Sequence, residues 1–366
     1  MKDPGTAVSL ELIEDSRVII CLGTGGVGKT TTAAALGYMA AKAGRHVCVV
    51  TIDPAKRLAD AMGIKELDNT PKKLETSSDI DLWAVMLDAN STFDELVQRF
   101  ATSPEQVEKI FHNSIYQNLT ENLSGTQEYM AMEKLHELVS DQRFDLLVVD
   151  TPPARNAIEF LNAPKRLIGF LENRFFRLLI SPTQSVFRPV TIATRMLLRT
   201  ISKVVGAQVV TDAVEFFQAF EGMEAGFKER ASEVQDLLAQ ESTSFVLVTG
   251  THKDTVEEAL YFASRLGEFD LEVDLVISNR VTPDFGKSTD EDRQNLSREM
   301  QENLDYLIKL RTAELEELSR LAVIVDRSRH ILVPQLAHDI GSLSEIQEIG
   351  EVLIDSKSRF VNSVSP

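Results

Sequence analysis

Seven short apolar runs punctuate the chain, at residues 17–22, 46–52, 82–87, 144–149, 244–249, 272–278 and 330–333. Most are rich in Val and Ile and lack the polar alternation of a half-exposed strand. They predict strands covered on both faces, as in a parallel sheet. Segments with helical spacing, such as 31–43 and 255–266, lie between them. Strands alternating with helices predict a doubly wound α/β fold, mostly parallel. No internal repeat is visible, which argues against two such domains in tandem.

Two stretches break the alternation by remaining helical, 91–138 and 164–240. The expected organisation is therefore one sheet-based domain over 1–163 and 241–366, with a helical excursion at 91–138, and an inserted α-helical subdomain over 164–240. That insertion has its own chemistry. Between 164 and 206 there are eight basic residues and a single acid, Glu172, among dense apolar positions such as Phe175, Phe176, Leu178 and Leu179. Three readings fit it: a helical hairpin packed on its own domain, a groove for hydrophobic protein segments, or contact with an anionic membrane or acidic partner.

Composition narrows the function classes. The 366 residues include 38 basic and 56 acidic side chains, a formal charge of −18. Such a balance argues against a nucleic-acid partner, which needs a basic footprint. The start reads as no signal peptide and no run is long enough for a transmembrane helix, so a cytoplasmic protein is expected. Cys21 and Cys48 are the only cysteines and form no CxxC. They are expected to be small core residues on neighbouring strands, and no zinc site is expected.

The strongest chemical signal is Gly23-Thr24-Gly25-Gly26-Val27-Gly28-Lys29-Thr30, which fits G-x-x-x-x-G-K-[ST]. With glycine near 7% of residues, a chance match in such a chain is roughly a one-in-a-hundred event. Its position after a strand and before a helical pattern is what a phosphate-binding loop requires. Backbone N–H groups of Gly25, Gly26, Val27 and Gly28 would converge on phosphate oxygens at a helix N-terminus. Lys29 would reach the outer phosphates, Thr30 would offer its hydroxyl to Mg²⁺, and Thr31 would lie beside the ligand. Asp53 and Asp150 each follow an apolar strand. Asp150, preceded by four apolar residues, is the candidate partner of Mg²⁺.

In this order, these residues resemble the ArsA-type anion-transporting ATPase family of deviant Walker-A P-loop NTPases. The family includes arsenite-pump ATPases and the targeting ATPase for tail-anchored membrane proteins. The resemblance rests on the loop, on Asp53-Pro54-Ala55 with Leu58 and Asp60, on Asp150-Thr151 with Pro153, and on Phe160-Leu161 with Pro164. It implies that Asp53 orients the attacking water and that residues 150–156 sense the outermost phosphate. It further implies that Asn279 contacts the purine, with Pro334 in the loop beside the base, and that the protein works as a homodimer. Thr24 stands where the family carries a signature lysine. Lys56, Arg57 and Arg155 are candidate substitutes, and Asn156 replaces a family histidine in the second switch.

The expected function is therefore Mg²⁺-dependent ATP hydrolysis that drives conformational change, for protein targeting or chaperone-like handling of a hydrophobic client. A membrane anion pump's energising subunit and a cofactor- or metal-insertion ATPase are the alternatives. Arsenite would require converging thiols, and GTP would require an N-K-x-D motif that is absent; Thr251-His252-Lys253-Asp254 reads as loop chemistry.

Overall fold

The computed structural model describes residues 8–52, 57–76, 79–114, 116–117, 126–152, 154–173, 207–285, 296–355, 358 and 360. Its strands are β1 (Val18–Gly23), β2 (Val47–Thr51), β3 (Lys72–Lys73), β4 (Leu82–Met86), β5 (Leu146–Asp150), β6 (Thr243–Thr249), β7 (Leu275–Val281) and β8 (His330–Pro334). They form one sheet in the order β3-β4-β2-β5-β1-β6-β7-β8, parallel throughout except for the antiparallel β3–β4 pair. The seven apolar runs all become strands. Residues of β1, β2 and β5 are buried without exception, because helices cover both faces and no polar alternation is called for.

Lateral order is where sequence reasoning falls short. Cys21 and Cys48 are buried as expected, but β5 lies between their strands, so they are not neighbours. Apolar runs announce strands without stating which strands pair. The short β3 was also missed: two lysines carry no period, yet they suit an edge, where charge discourages pairing with another chain. Lys73 forms an ion pair with Asp81 at 2.6 Å, and Lys73 and Arg143 both lie over the Trp83 ring. Hydrogen bonds with Lys73 first and then with His46 hold the Asp81 carboxyl down at about 2.

The chain divides into two compact units. The first comprises Met1–Leu87, Leu138–Ile158 and Ala239–Pro366. Its core joins the sheet to the helix Lys29–Lys42, whose Ala33, Ala34, Ala35 and Leu36 are buried, and to the C-terminal helix Leu343–Ile354 through Ile346 and Ile349. Small alanines let that first helix lie close to the strands at low entropic cost.

The second unit comprises Asp88–Glu137 and Glu159–Leu238. Residues 88–137, kept with the nucleotide-binding part in the sequence reading, cluster here with the later helices. Among its described elements are the helices Ala89–Phe100, Pro104–Phe111, Ala207–Ala219 and Glu224–Leu238. Its core is aromatic: Phe216 and Phe220 have ring centroids 4.8 Å apart, and Phe220 and Phe227 5.6 Å. Arg230 Nε donates to the buried Glu133 Oε1 at 2.5 Å, and Lys134 meets Glu137 at 3.0 Å. The expected boundary at 163/164 falls inside a continuous helix, Ala154–Leu171, which passes through Pro164. Phe175, Phe176, Leu178 and Leu179 lie outside the described residues. No described helix is long and apolar enough to cross a membrane.

Candidate functional site

The carboxyl ends of β1, β5 and β2 lie side by side, and the register sets Asp150 level with Cys21 on one side and Thr51 on the other. Ligands of open α/β sheets bind at this edge. β1 closes with Gly23 at φ +147°, where a Cβ would stand 2.1 Å from the Val248 carbonyl oxygen, so no side chain fits. The loop then turns into the helix Lys29–Lys42 through Gly28 at φ +95°. A Cβ there would lie 2.1 Å from Asn279 Nδ2. Glycine is required at both places by strain and by contact together.

Lys29 is 7% exposed, and its ammonium donates to the Thr24 carbonyl oxygen at 2.8 Å. The position at which the family carries a signature lysine thus supplies an acceptor to the loop's own lysine. The Thr24 hydroxyl is buried and has no hydrogen-bond partner among the described residues. Thr30 Oγ1 donates to Asp150 Oδ2 at 2.7 Å, and Thr51 Oγ1 donates to the same oxygen at 3.0 Å. Thr151 ties the end of β5 to β1, its hydroxyl donating to the Cys21 carbonyl at 2.7 Å.

A cavity of about 340 Å³ opens over these groups, lined by Gly26, Lys29, Thr30, Asp150, Arg57 and Asp60 among others. A second, of about 260 Å³, adjoins it and is lined by Asn279, Pro334, His338 and Asp339. Gly28, Thr31, Arg280 and Ile340 border both. Asn279, read through the resemblance as a purine contact, already ties two segments together. Its Nδ2 donates to the Val27 carbonyl at 2.9 Å, and its Oδ1 accepts from the Arg280 N–H at 2.9 Å.

Several expected site residues therefore gather in one place: Gly26, Gly28, Lys29, Thr30, Thr31, Arg57 and Asp150 around the first cavity, with Asn279 and Pro334 around the second. Val27 is buried and takes part through its carbonyl, while Gly25 is exposed on the loop. Asp53 and Lys56 lie outside the described residues. Arg155 and Asn156 fall in the first turn of the helix Ala154–Leu171, without described side chains. Thr51 and Arg280 were missed. Thr51 could have been found as the polar end of an apolar run; Arg280 stands beside a residue already singled out.

The oxygens of Thr30 and Asp150 are hard donors of the kind Mg²⁺ prefers, and they stand 2.7 Å apart. Among the described residues no group of three or more His, Cys, Asp or Glu converges, so ligand and water oxygens would complete such a shell. Burial pushes the Cys21 thiol up, with the Asp150 charge adding to it, and burial does the same to Cys48.

Comparison with known proteins agrees with this geometry. The family described as anion-transporting ATPase matches residues 16–354. An "ATPase get3" of Schizosaccharomyces japonicus is 25% identical over 351 residues, 96% of each chain. Another of Aspergillus terreus is 24% identical over 340 residues, 92% of this chain and 90% of that one. An Aquifex aeolicus protein named as an arsenical pump-driving ATPase is 22% identical over 349 residues, covering 92% of this chain and 78% of its own. Such kinship supports binding and hydrolysis of ATP in a P-loop fold. Match, sheet order and loop together make the chain a member of the anion-transporting ATPase family.

Proposed function

We propose that the protein is a cytoplasmic, homodimeric, Mg²⁺-dependent ATPase that converts nucleotide state into conformational change in order to handle a hydrophobic protein client. One observation carries the engine: the buried Lys29 and the Thr30–Asp150 pair at 2.7 Å share the wall of a single cavity at a helix N-terminus. Lys29 and the loop amides hold the outer phosphates, Thr30 and Asp150 would hold Mg²⁺, and Asp53 orients water. Mg²⁺, when bound, supplies charge neutralisation on the phosphate oxygens. The chain's own groups supply position and charge, which are the main sources of rate in phosphoryl transfer.

Client handling is supported by the resemblance, by relatives named get3, and by a separate helical unit rich in aromatic residues. Energising an anion pump through thiols is the weaker reading, since both cysteines are buried in strands that β5 separates. Asp53→Asn is the decisive variant. It should bind ATP with affinity close to wild type while single-turnover hydrolysis falls by about 10²-fold or more. Normal turnover would remove Asp53 from the water-orienting role. Proteins retained by that ATP-loaded variant then identify the client class, and capture of a membrane pump in place of a hydrophobic segment would reverse the preference stated here.

A further inference from the structure

Arg280 has φ +59°, one of two non-glycine residues among those described that lie in the left-handed region. Such a backbone is disfavoured for an arginine and persists only where the surroundings impose it. Here they do. The β7–β8 register shifts between Ser278 and Val281, and the Arg280 N–H is held by Asn279 Oδ1, whose amide is itself fastened to the phosphate loop at Val27. A bulge of this kind re-aims a side chain. In β7 every other residue is buried, and Arg280 alone is exposed.

It lines both cavities and so stands at their border. Among the described residues its guanidinium makes no hydrogen bond, ion pair or ring contact, in a chain with 56 acidic residues and with Asp150 and Asp339 lining the same two spaces. A strained cation without an anionic partner among the described residues, at the edge of the cavity over Lys29, suits an anion that arrives.

We infer that Arg280 is a nucleotide-binding residue that forks onto the inner phosphate, where the polyphosphate meets the sugar. This rests on the ATP-binding reading above. Lys29 and Thr30 occupy the outer-phosphate end of the first cavity, so the border with the second is the place of the phosphate next to the nucleoside. A planar guanidinium suits two phosphate oxygens at once, and lysine does not. The inner phosphate is common to ADP and ATP, and that dictates the signature.

Calorimetric titration of the full chain with ADP and with Mg·ATP tests it, using wild type, Arg280→Gln, Arg280→Lys and Arg280→Gly. Arg280→Gln should weaken both nucleotides by about tenfold and by the same factor, with kcat at saturating ATP within about twofold of wild type. Arg280→Lys should recover part of the loss. Arg280→Gly should lose as much affinity as Gln while its Tm stays level or rises, because glycine relieves the left-handed backbone. Equal affinities across the variants, in a wild type that binds nucleotide, overturn the inference alone. So does a loss confined to ATP with a fall in kcat, which would place the contact at the outer phosphate. A Tm drop in Arg280→Gly that tracks its affinity loss would make the residue structural. Wild type taking up neither nucleotide overturns the ATP-binding reading, and this inference with it.

Discussion

The two units bury charge to opposite ends. In the sheet unit, Lys29 is held by a carbonyl of its own loop and Asp150 collects two hydroxyl donors on one oxygen, and Lys29, Thr30 and Asp150 line a cavity. In the helical unit, the consecutive Glu133 and Lys134 are answered by side chains of opposite charge, Arg230 at 2.5 Å and Glu137 at 3.0 Å. Burial pushes the Glu133 carboxyl up even though Arg230 opposes it. A buried charge signals a ligand site when its neighbours leave it turned toward empty space. Where oppositely charged neighbours enclose it, the same burial signals a device of folding.

The largest test of that contrast is Lys29→Ala. Turnover should fall by about 10³-fold and nucleotide affinity with it, while Tm stays within a few degrees of wild type. A large loss of Tm would put Lys29 in the same class as Glu133. Arg230→Ala is the mirror image: it strands the buried Glu133 carboxylate, and the denaturation midpoint should report a loss of about 3 kcal/mol with nucleotide affinity unchanged. The smallest effect is a titration inside the sheet unit. His330 shares a 2.8 Å hydrogen bond with Ser278, stacks on Phe360, and is driven by burial from 6.5 to about 4. The unfolded state therefore binds the proton more readily than the folded state between those values. Stability is complete above about pH 6.5 and declines as pH falls toward 4, by about 2 kcal/mol between pH 7.5 and 5. His330→Gln should flatten that slope in urea unfolding.

Much of this was written in the chain. The loop, Asp150 and all seven long strands were legible because each depends on local pattern: glycine spacing, an apolar run, an acid at its end. What was hidden depends on the third dimension. β5 enters between β1 and β2, which brings Asp150 beside both Thr51 and the loop, and nothing in 146–150 declares its neighbours. The backbone of Arg280 is set by Asn279, whose own anchor lies 252 positions away at Val27. The grouping of 88–137 with 159–238 arises from aromatic contacts such as Phe93 with Phe220, which periodicity cannot pair.

The Asn279 carboxamide has a consequence for how substrate preference can change in this family member. It grips the phosphate loop at Val27 and presses so closely on Gly28 that not even a methyl group could intervene. One side chain thus couples the loop to the wall of the second cavity. On the proposed reading, in which Asn279 contacts the purine, a replacement at 279 suited to a different heterocycle would also slacken the turn over the phosphates, so the grip on the energy-bearing end and the choice of letter at the other would evolve as one trait.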